Sequence, residues 1–253
     1  MIDILIYIIA GVIAGIATGL VGLSAAVIIA PMFVTLLGMD PYIAVGIALA
    51  SDVFASSFSA FHYIKHKNIR LKSAIIMALT VLIFAILASI FSSNAKPTNL
   101  GIMLNLFVVL LGLRFLVFPV QDNQNKKIFT FTKSKFFASI FWGAVIGTIS
   151  GYFGAGGGLS MLAVLTVVLG YNLKTAVGTS VFIMVFTAFV GATTHIIIGG
   201  TEWSALIITS IAAMVGANIA SIYANSIDHK ILNLVIGSVL VLFGIFLTLS
   251  YLL

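Results

Sequence analysis

Three consecutive glycines, Gly156, Gly157 and Gly158, interrupt a strongly apolar part of the chain and form the first stretch that could bind a ligand. Each glycine weakens a helix by about 1 kcal/mol relative to alanine, so the run predicts a break between two half-helices. The N-terminus of a half-helix presents free N–H groups and partial positive charge, which suit an anion. We therefore expect the run to contact an anion, together with Gly154. The spacing of Gly154 from Gly151 also fits close helix packing, and this alternative stays open.

Three hydroxyls and one amide are further candidate ligands for the same anion. Ser24 occupies the position of the glycine run in the internal repeat described below, and Thr179 and Ser180 lie early in a later apolar segment. Asn218 lies in the middle of another segment, beside small residues. Serine and threonine in apolar helices often donate back to a helix carbonyl instead. Asn218 would serve equally well in a hydrogen bond between helices.

Asp52 is the one acid well inside an apolar segment, residues 41–64. A carboxylate at membrane depth is costly and is usually functional. An ionised carboxylate would repel an anion, so we expect Asp52 to carry a proton for coupling rather than to bind the anion itself. The alternative is a protonated acid that bonds hydroxyls of its own segment, namely Ser51, Ser56, Ser57 and Ser59.

The sequence contains few residues that could form a catalytic or metal site. The chain has no cysteine, which excludes disulfides, thiol catalysis and cysteine-ligated metals. His62 and His195 have no neighbouring carboxylate or thiol, so we interpret them as interfacial residues and not as a metal site. The glycine run lacks the βαβ unit of a dinucleotide motif, and there is no Walker-type loop. We expect no enzyme activity, no catalytic residue, no cofactor, no metal and no nucleic acid partner.

The composition is that of a membrane protein with several spans. Of the 253 residues, 62% are hydrophobic and only 7% are charged, against roughly 25% charged residues in soluble domains, and the mean hydropathy is +1.27. No basic residue precedes Lys65, so we interpret the N-terminus as a retained membrane segment and not as a signal peptide. The apolar segments are 2–38, 41–64, 72–92, 98–120, 136–170, 173–199, 203–225 and 230–253.

Two of these segments, 2–38 and 136–170, are much longer than the roughly 20 residues of one spanning helix. Each has glycines near its middle. We therefore predict that each segment forms two shorter helices hinged at glycine. The pair is either a tight hairpin of two spans or a re-entrant pair.

The chain contains an internal repeat. A shift of 132 residues, without a gap, superposes glycines of the first half on glycines of the second half. The pairs are Gly11/Gly143, Gly15/Gly147, Gly19/Gly151, Gly22/Gly154, Gly38/Gly170 and Gly46/Gly178. We therefore divide the chain into a first transmembrane repeat (1–120), a basic linker (121–135) and a second transmembrane repeat (136–253).

The basic residues predict that the two repeats are inverted. The loop 65–72 and the linker 121–135 are rich in lysine, whereas the repeat mate of the first loop, around 197–204, has no basic residue. Basic loops stay in the cytoplasm, so corresponding loops face opposite sides. We predict an all-α polytopic membrane protein of two inverted repeats, each with a glycine-hinged helical hairpin and three transmembrane helices. Both termini are then extracytoplasmic, and the expected location is the plasma membrane.

Two motifs of the second repeat, with looser counterparts in the first, resemble the sulfite exporter TauE/SafE family of membrane permeases over essentially the whole chain. The motifs are GTISGYFGAGGGLSMLAVL (147–165) and LKTAVGTSVFIMVFTAFVGATTH (173–195), and the counterparts are GIATGLVGLSAAVIIAPMF (15–33) and DPYIAVGIALASDVFASSFSAFHYIKHKNI (40–69). In the first repeat the glycine cluster is replaced by Ser24-Ala25-Ala26, and the GTS triplet by Gly46-Ile47-Ala48. The resemblance implies a transporter of small anions, with sulfite and sulfonates as substrate types.

These observations together predict a secondary transporter of small, sulfur-containing anions that is linked to protons and works by alternating access. A passive anion channel with the same fold is the alternative, and a membrane scaffold without transport activity is a further one. The expected partners are the small anionic substrate and the lipid bilayer. A homodimer is one assembly that the sequence allows.

Overall fold

The computed structural model describes residues 2–92, 113, 116–117, 133–153 and 157–252, and this part of the chain is helical. Gly154, Gly156 and most of the predicted segment 98–120 and of the linker lie outside the described residues. The helices are α1 (Ile2–Val21), α2 (Ala26–Leu37), α3 (Pro41–Lys65), α4 (Leu71–Ser92), α5 (Lys133–Phe153), α6 (Gly157–Ala163) followed by a π-helical turn (Val164–Val168), α7 (Leu173–Gly199), α8 (Trp203–Ser226) and α9 (His229–Leu252).

Five of the described helices, α1, α3, α4, α7 and α8, are long and apolar enough to cross a membrane. This confirms the predicted all-α, polytopic membrane fold. On α1, small residues such as Ala10 and Ala14 are buried, whereas Ile9 and Ile13 are exposed. Lipid is as apolar as these side chains, so membrane helices associate through small residues that let their backbones approach. The large apolar side chains remain on the outside, where they would contact lipid.

Each of the two long apolar segments forms two helices, as predicted, but the first helix of each pair is longer than the second. Residues 22–25 separate α1 from α2, and in the second segment α5 ends at Phe153 and α6 begins at Gly157. Helix α2 has 12 residues, which at 1.5 Å per residue makes it about 18 Å long, against about 30 Å for the hydrocarbon core of a bilayer. Helix α6 and its π-helical turn are equally short. The shorter arm of each pair is therefore a half-helix and not a complete span.

The repeat is visible in how the helices end and begin. Gly38 and Gly170, which are repeat mates, have left-handed φ angles of 62° and 66°, a conformation that favours glycine. Two residues later, the side chains of Asp40 and Asn172 accept hydrogen bonds from backbone N–H groups in the first turns of α3 and α7. Side-chain caps of this kind define where a helix starts. The two copies therefore share their turn chemistry as well as their glycines.

The repeat glycines make the same packing contacts in both halves. Gly15 of α1 lies against the Ala213 carbonyl of α8, and Gly147 of α5 lies against the Val81 carbonyl of α4. The same shift of 132 residues relates both members of these contacts. A β-carbon at either glycine would overlap a backbone carbonyl, so only glycine permits the approach. Helices α1 and α8 thus form one pair, and α5 and α4 form its equivalent.

Helices α3 and α7, the third set of repeat mates, pack against each other. Gly46 of α3 lies against His195 of α7, and Gly178 of α7 lies against Tyr63 of α3. Contact positions rise along one helix as they fall along the other, so the two helices run antiparallel. The middle of α3, which carries Asp52, consequently lies at the level of the first helix break, whose Ser24 it contacts.

Candidate functional site

A cavity of about 180 Å³ is lined by residues of the α1–α2 break, of α6 and of α3, α4, α5 and α7. It is much larger than the space for one water, about 10–15 Å³, and smaller than the roughly 300–1,000 Å³ of pockets for drug-sized ligands. The cavity therefore fits a small ligand. The predicted site residues that line it are Ser24, Asp52, Gly157 and Gly158. Other polar residues that line it are Ser150, Thr187, Thr194 and His195.

The start of α6 touches the break between α1 and α2 at Gly158. A β-carbon there would lie 2.8 Å from the Gly22 carbonyl oxygen and 3.0 Å from the Ser24 backbone nitrogen, so the second hairpin sits directly on the first. Gly22 itself has a left-handed φ of 72°, and a side chain there would also meet the Ser180 hydroxyl. Gly22 is therefore required by its backbone conformation, and Gly158 by the close approach of the Gly22 and Ser24 backbone.

Asp52 ties the first helix break to the middle of α3. Ser24, inside the break, donates to Asp52 Oδ2 at 2.6 Å, and Ser56, one turn further along α3, donates to Oδ1 at 3.0 Å. All three side chains are buried. A buried carboxylate needs such donors because it has lost its hydrating water. A change in the charge of Asp52 would therefore change the strength of the hydrogen bond from Ser24.

The hydroxyls around this acid differ from the set that the sequence offered. Of the four serines on its own helix, Ser56 bonds it, whereas Ser51 and Ser57 donate to carbonyls one turn back in α3. The Ser59 hydroxyl is buried and has no hydrogen-bond partner in the described part of the chain. Ser24 supplies the second donor from the α1–α2 break. Asp52 thus bonds one serine of its own helix and one serine of the first hairpin, rather than serines of its own helix alone.

Gly157 leaves room for a hydroxyl at the wall of the cavity. A β-carbon on Gly157 would lie 2.6 Å from Ser150 Oγ, and Ser150 lines the cavity. That hydroxyl is buried and bonds none of the residues that the structure describes. A buried polar group without a partner costs about 1–3 kcal/mol. A ligand that bonds Ser150 would remove this cost.

Three predicted ligands lie outside the set of residues that line the cavity. Thr179 and Ser180 donate to carbonyls of their own helix at 2.6 and 2.8 Å, which is the alternative that the sequence left open. Asn218 Oδ1 lies 2.6 Å from His62 Nε2 and joins α8 to α3. Contact of these residues with a substrate stays a prediction, as does that of Gly154 and Gly156, which the structure does not describe.

Four polar residues that line the cavity were absent from the predicted site: Ser150, Thr187, Thr194 and His195. The repeat places Tyr63 opposite His195 and Thr18 opposite Ser150. The sequence therefore shows that a tyrosine of the first repeat is replaced by a histidine in the second. The sequence does not show that His195 faces the cavity, because this position depends on the antiparallel packing of α3 and α7.

Comparison with known proteins agrees with this architecture. The model of a family described as sulfite exporter TauE/SafE matches residues 7–247. The chain is 29% identical, over 94% of its length and 95% of the relative, to the probable membrane transporter protein YunE of Bacillus subtilis (strain 168). It is 25% identical, over 96% of its length and 94% of the relative, to the probable membrane transporter protein MJ0441 of Methanocaldococcus jannaschii. No solved structure gives a significant match.

Proposed function

Since the chain belongs to the sulfite exporter TauE/SafE family and is a multi-pass membrane transport protein, we propose that it is a proton-linked secondary transporter of small, sulfur-containing anions such as sulfite or an organosulfonate. The observation that carries this proposal is the cavity where the α1–α2 break meets the start of α6. Ser24, Asp52 and Gly158 come from three separate parts of the chain and line one small space. Discontinuous helices around a central site are typical of secondary transporters.

Asp52 supplies the proposed link to protons. Two like unit charges 4 Å apart repel each other by about 4 kcal/mol at an effective dielectric constant of 20. An anion in the cavity therefore binds better when Asp52 is neutral. Proton uptake by Asp52 would favour anion binding, and proton loss would favour release. Because Ser24 bonds this carboxylate, the same proton would also alter the hold of α3 on the first break.

Alternating access is supported by the equivalence of the two halves. The pair α1–α8 has its counterpart in α5–α4, and the repeat mates α3 and α7 run antiparallel. Two inverted repeats can exchange conformations, and the exchange opens a central site to one side and then the other. In this proposal the basic loop 65–72 is cytoplasmic, both termini are extracytoplasmic and the protein lies in the plasma membrane. It performs no enzymatic step.

A binding screen on the purified protein tests this proposal. We expect saturable binding of sulfite, thiosulfate or methanesulfonate, and weaker binding of acetate, measured by isothermal titration calorimetry in detergent. Methanesulfonate stays ionised near neutral pH, so any change in its affinity with pH reports on the protein. We expect its affinity to rise as the pH falls. Failure to bind any of the four anions would contradict the proposal.

A further inference from the structure

Two titratable side chains, Asp52 and His195, face the cavity, and among the described residues that line it they are the only ones. Both depart from the internal repeat: the repeat mate of Asp52 is Met184, and that of His195 is Tyr63. The two exchanges lie on different helices and far apart in sequence, yet both face the same space.

His195 is held firmly with one ring nitrogen left free. The Tyr42 carbonyl can only accept a hydrogen bond, so its 3.1 Å contact with Nδ1 places the proton on that atom. The Tyr42 ring stacks on the imidazole with centroids 4.1 Å apart, and a β-carbon on Gly46 would lie 3.0 Å from His195 Cβ. Nε2 bonds no described residue. The repeat mate Tyr63 instead donates its hydroxyl to the Gly19 carbonyl at 3.0 Å.

Among the described residues that line the cavity, Asp52 is the one carboxylate that could accept a proton from His195. The described residues that α4 contributes to the wall are aliphatic, α5 contributes a serine, and α6 contributes glycines and a methionine. Outside the cavity, the Asp40 carboxylate caps α3 just before Tyr42, and Glu202 accepts from Tyr7 and Ser204. Across the cavity, Asp52 is the acceptor. A space of about 180 Å³ is large enough for several waters to join the two groups.

We propose that His195, which lies near the end of α7 that is extracytoplasmic in the proposed topology, is the proton relay between that side of the membrane and Asp52. Nε2 takes a proton from hydronium on that side, which leaves water, and forms an imidazolium. The imidazolium returns that proton to cavity water, which passes it to the Asp52 carboxylate, and the neutral ring is restored. No bond other than those to the moving proton changes. The inference rests on the proposed function, because it explains how the coupling acid is reached from one side.

The relay is tested by separating proton movement from anion movement in proteoliposomes. Proton entry during anion uptake is followed with an internal pH-sensitive dye, and anion exchange at equal pH is followed with labelled anion on one side. Sulfite, thiosulfate, methanesulfonate and acetate are each used. Since a positioned acid–base group accelerates proton transfer by about 10²–10⁴-fold, we expect His195→Gln to slow proton-coupled uptake about tenfold or more and to leave exchange unchanged. External imidazole should restore coupled uptake in His195→Ala, and His66→Gln, outside the cavity, should behave as wild type.

Four other results would overturn either the relay, the proton link or the proposed function. Unchanged coupled uptake in His195→Gln would overturn the relay. An equal fall in coupled uptake and exchange, without rescue by imidazole, would also overturn it and would make His195 a structural or anion-binding residue. Anion exchange by the wild type without proton movement would overturn the proton link and the relay together. No anion movement by the wild type would overturn the proposed function itself.

Discussion

Gly158→Ala is expected to reduce anion transport about tenfold or more, whereas Gly157→Ala is expected to stay close to wild type. A β-carbon at Gly158 would lie 2.8 Å from the Gly22 carbonyl oxygen and 3.0 Å from the Ser24 nitrogen, both of which are backbone atoms. Overpacking of this kind costs about 1–3 kcal/mol, and 1.4 kcal/mol corresponds to a factor of ten. At Gly157 the near neighbour is the Ser150 hydroxyl, which can rotate away.

The two alanine variants are a matched pair, because they add the same atom at adjacent positions. Flux of methanesulfonate and thiosulfate into proteoliposomes measures the effect, and the yield of protein in the membrane fraction shows that both variants insert. Equal flux from Gly158→Ala and wild type would show that contact between α6 and the α1–α2 break is not needed for transport. A larger loss at Gly157 than at Gly158 would mean that the hydroxyl of Ser150, rather than the backbone contact, limits the site.

Asp52→Asn is expected to abolish accumulation driven by a proton gradient while anion exchange continues. The amide has the shape of the acid and can keep hydrogen bonds to Ser24 and Ser56, since each hydroxyl can donate or accept. It cannot take up a proton, so a pH gradient no longer acts on the cavity. The anion also no longer meets an ionised carboxylate, which is why binding should survive.

Proteoliposomes that are acid outside and alkaline inside measure this effect. The matched control is Asp40→Asn, which changes an acid that caps α3 and does not line the described cavity. Asp40→Asn should accumulate anion like the wild type. Full gradient-driven accumulation by Asp52→Asn would rule out proton coupling through this residue. Loss of anion exchange together with accumulation would instead make Asp52 part of the structural hold on the first break.

Much of the fold follows from the internal repeat. The glycine pairs predicted where helices would break and where they would pack closely, and Gly15 and Gly147 make matching contacts with backbone carbonyls. The unequal lengths of the two arms did not follow from hydropathy, because α1 and α2 are equally apolar. The difference between a spanning helix and a half-helix depends on where the chain breaks, and the left-handed φ of Gly22 marks that point.

The site was predicted only in part, for a physical reason. Asp52, Gly157 and Gly158 were predicted because a charge and consecutive glycines are unusual inside apolar helices, and Ser24 because it is the repeat mate of Gly156. Whether a residue faces a cavity depends on helix rotation and crossing, which alanine- and glycine-rich helices encode weakly. Thr179 lies on the same helix as His195, yet only the latter lines the cavity.

The most direct test of the central claim is the accumulation of methanesulfonate and thiosulfate by wild-type protein in proteoliposomes, with the membrane potential clamped. We expect one or both anions to accumulate above the external concentration when the outside is more acidic. When the pH is equal on both sides, we expect the anions only to equilibrate. Equal, purely equilibrative flux with and without the pH gradient would contradict the central claim and would identify a passive anion channel with the same fold.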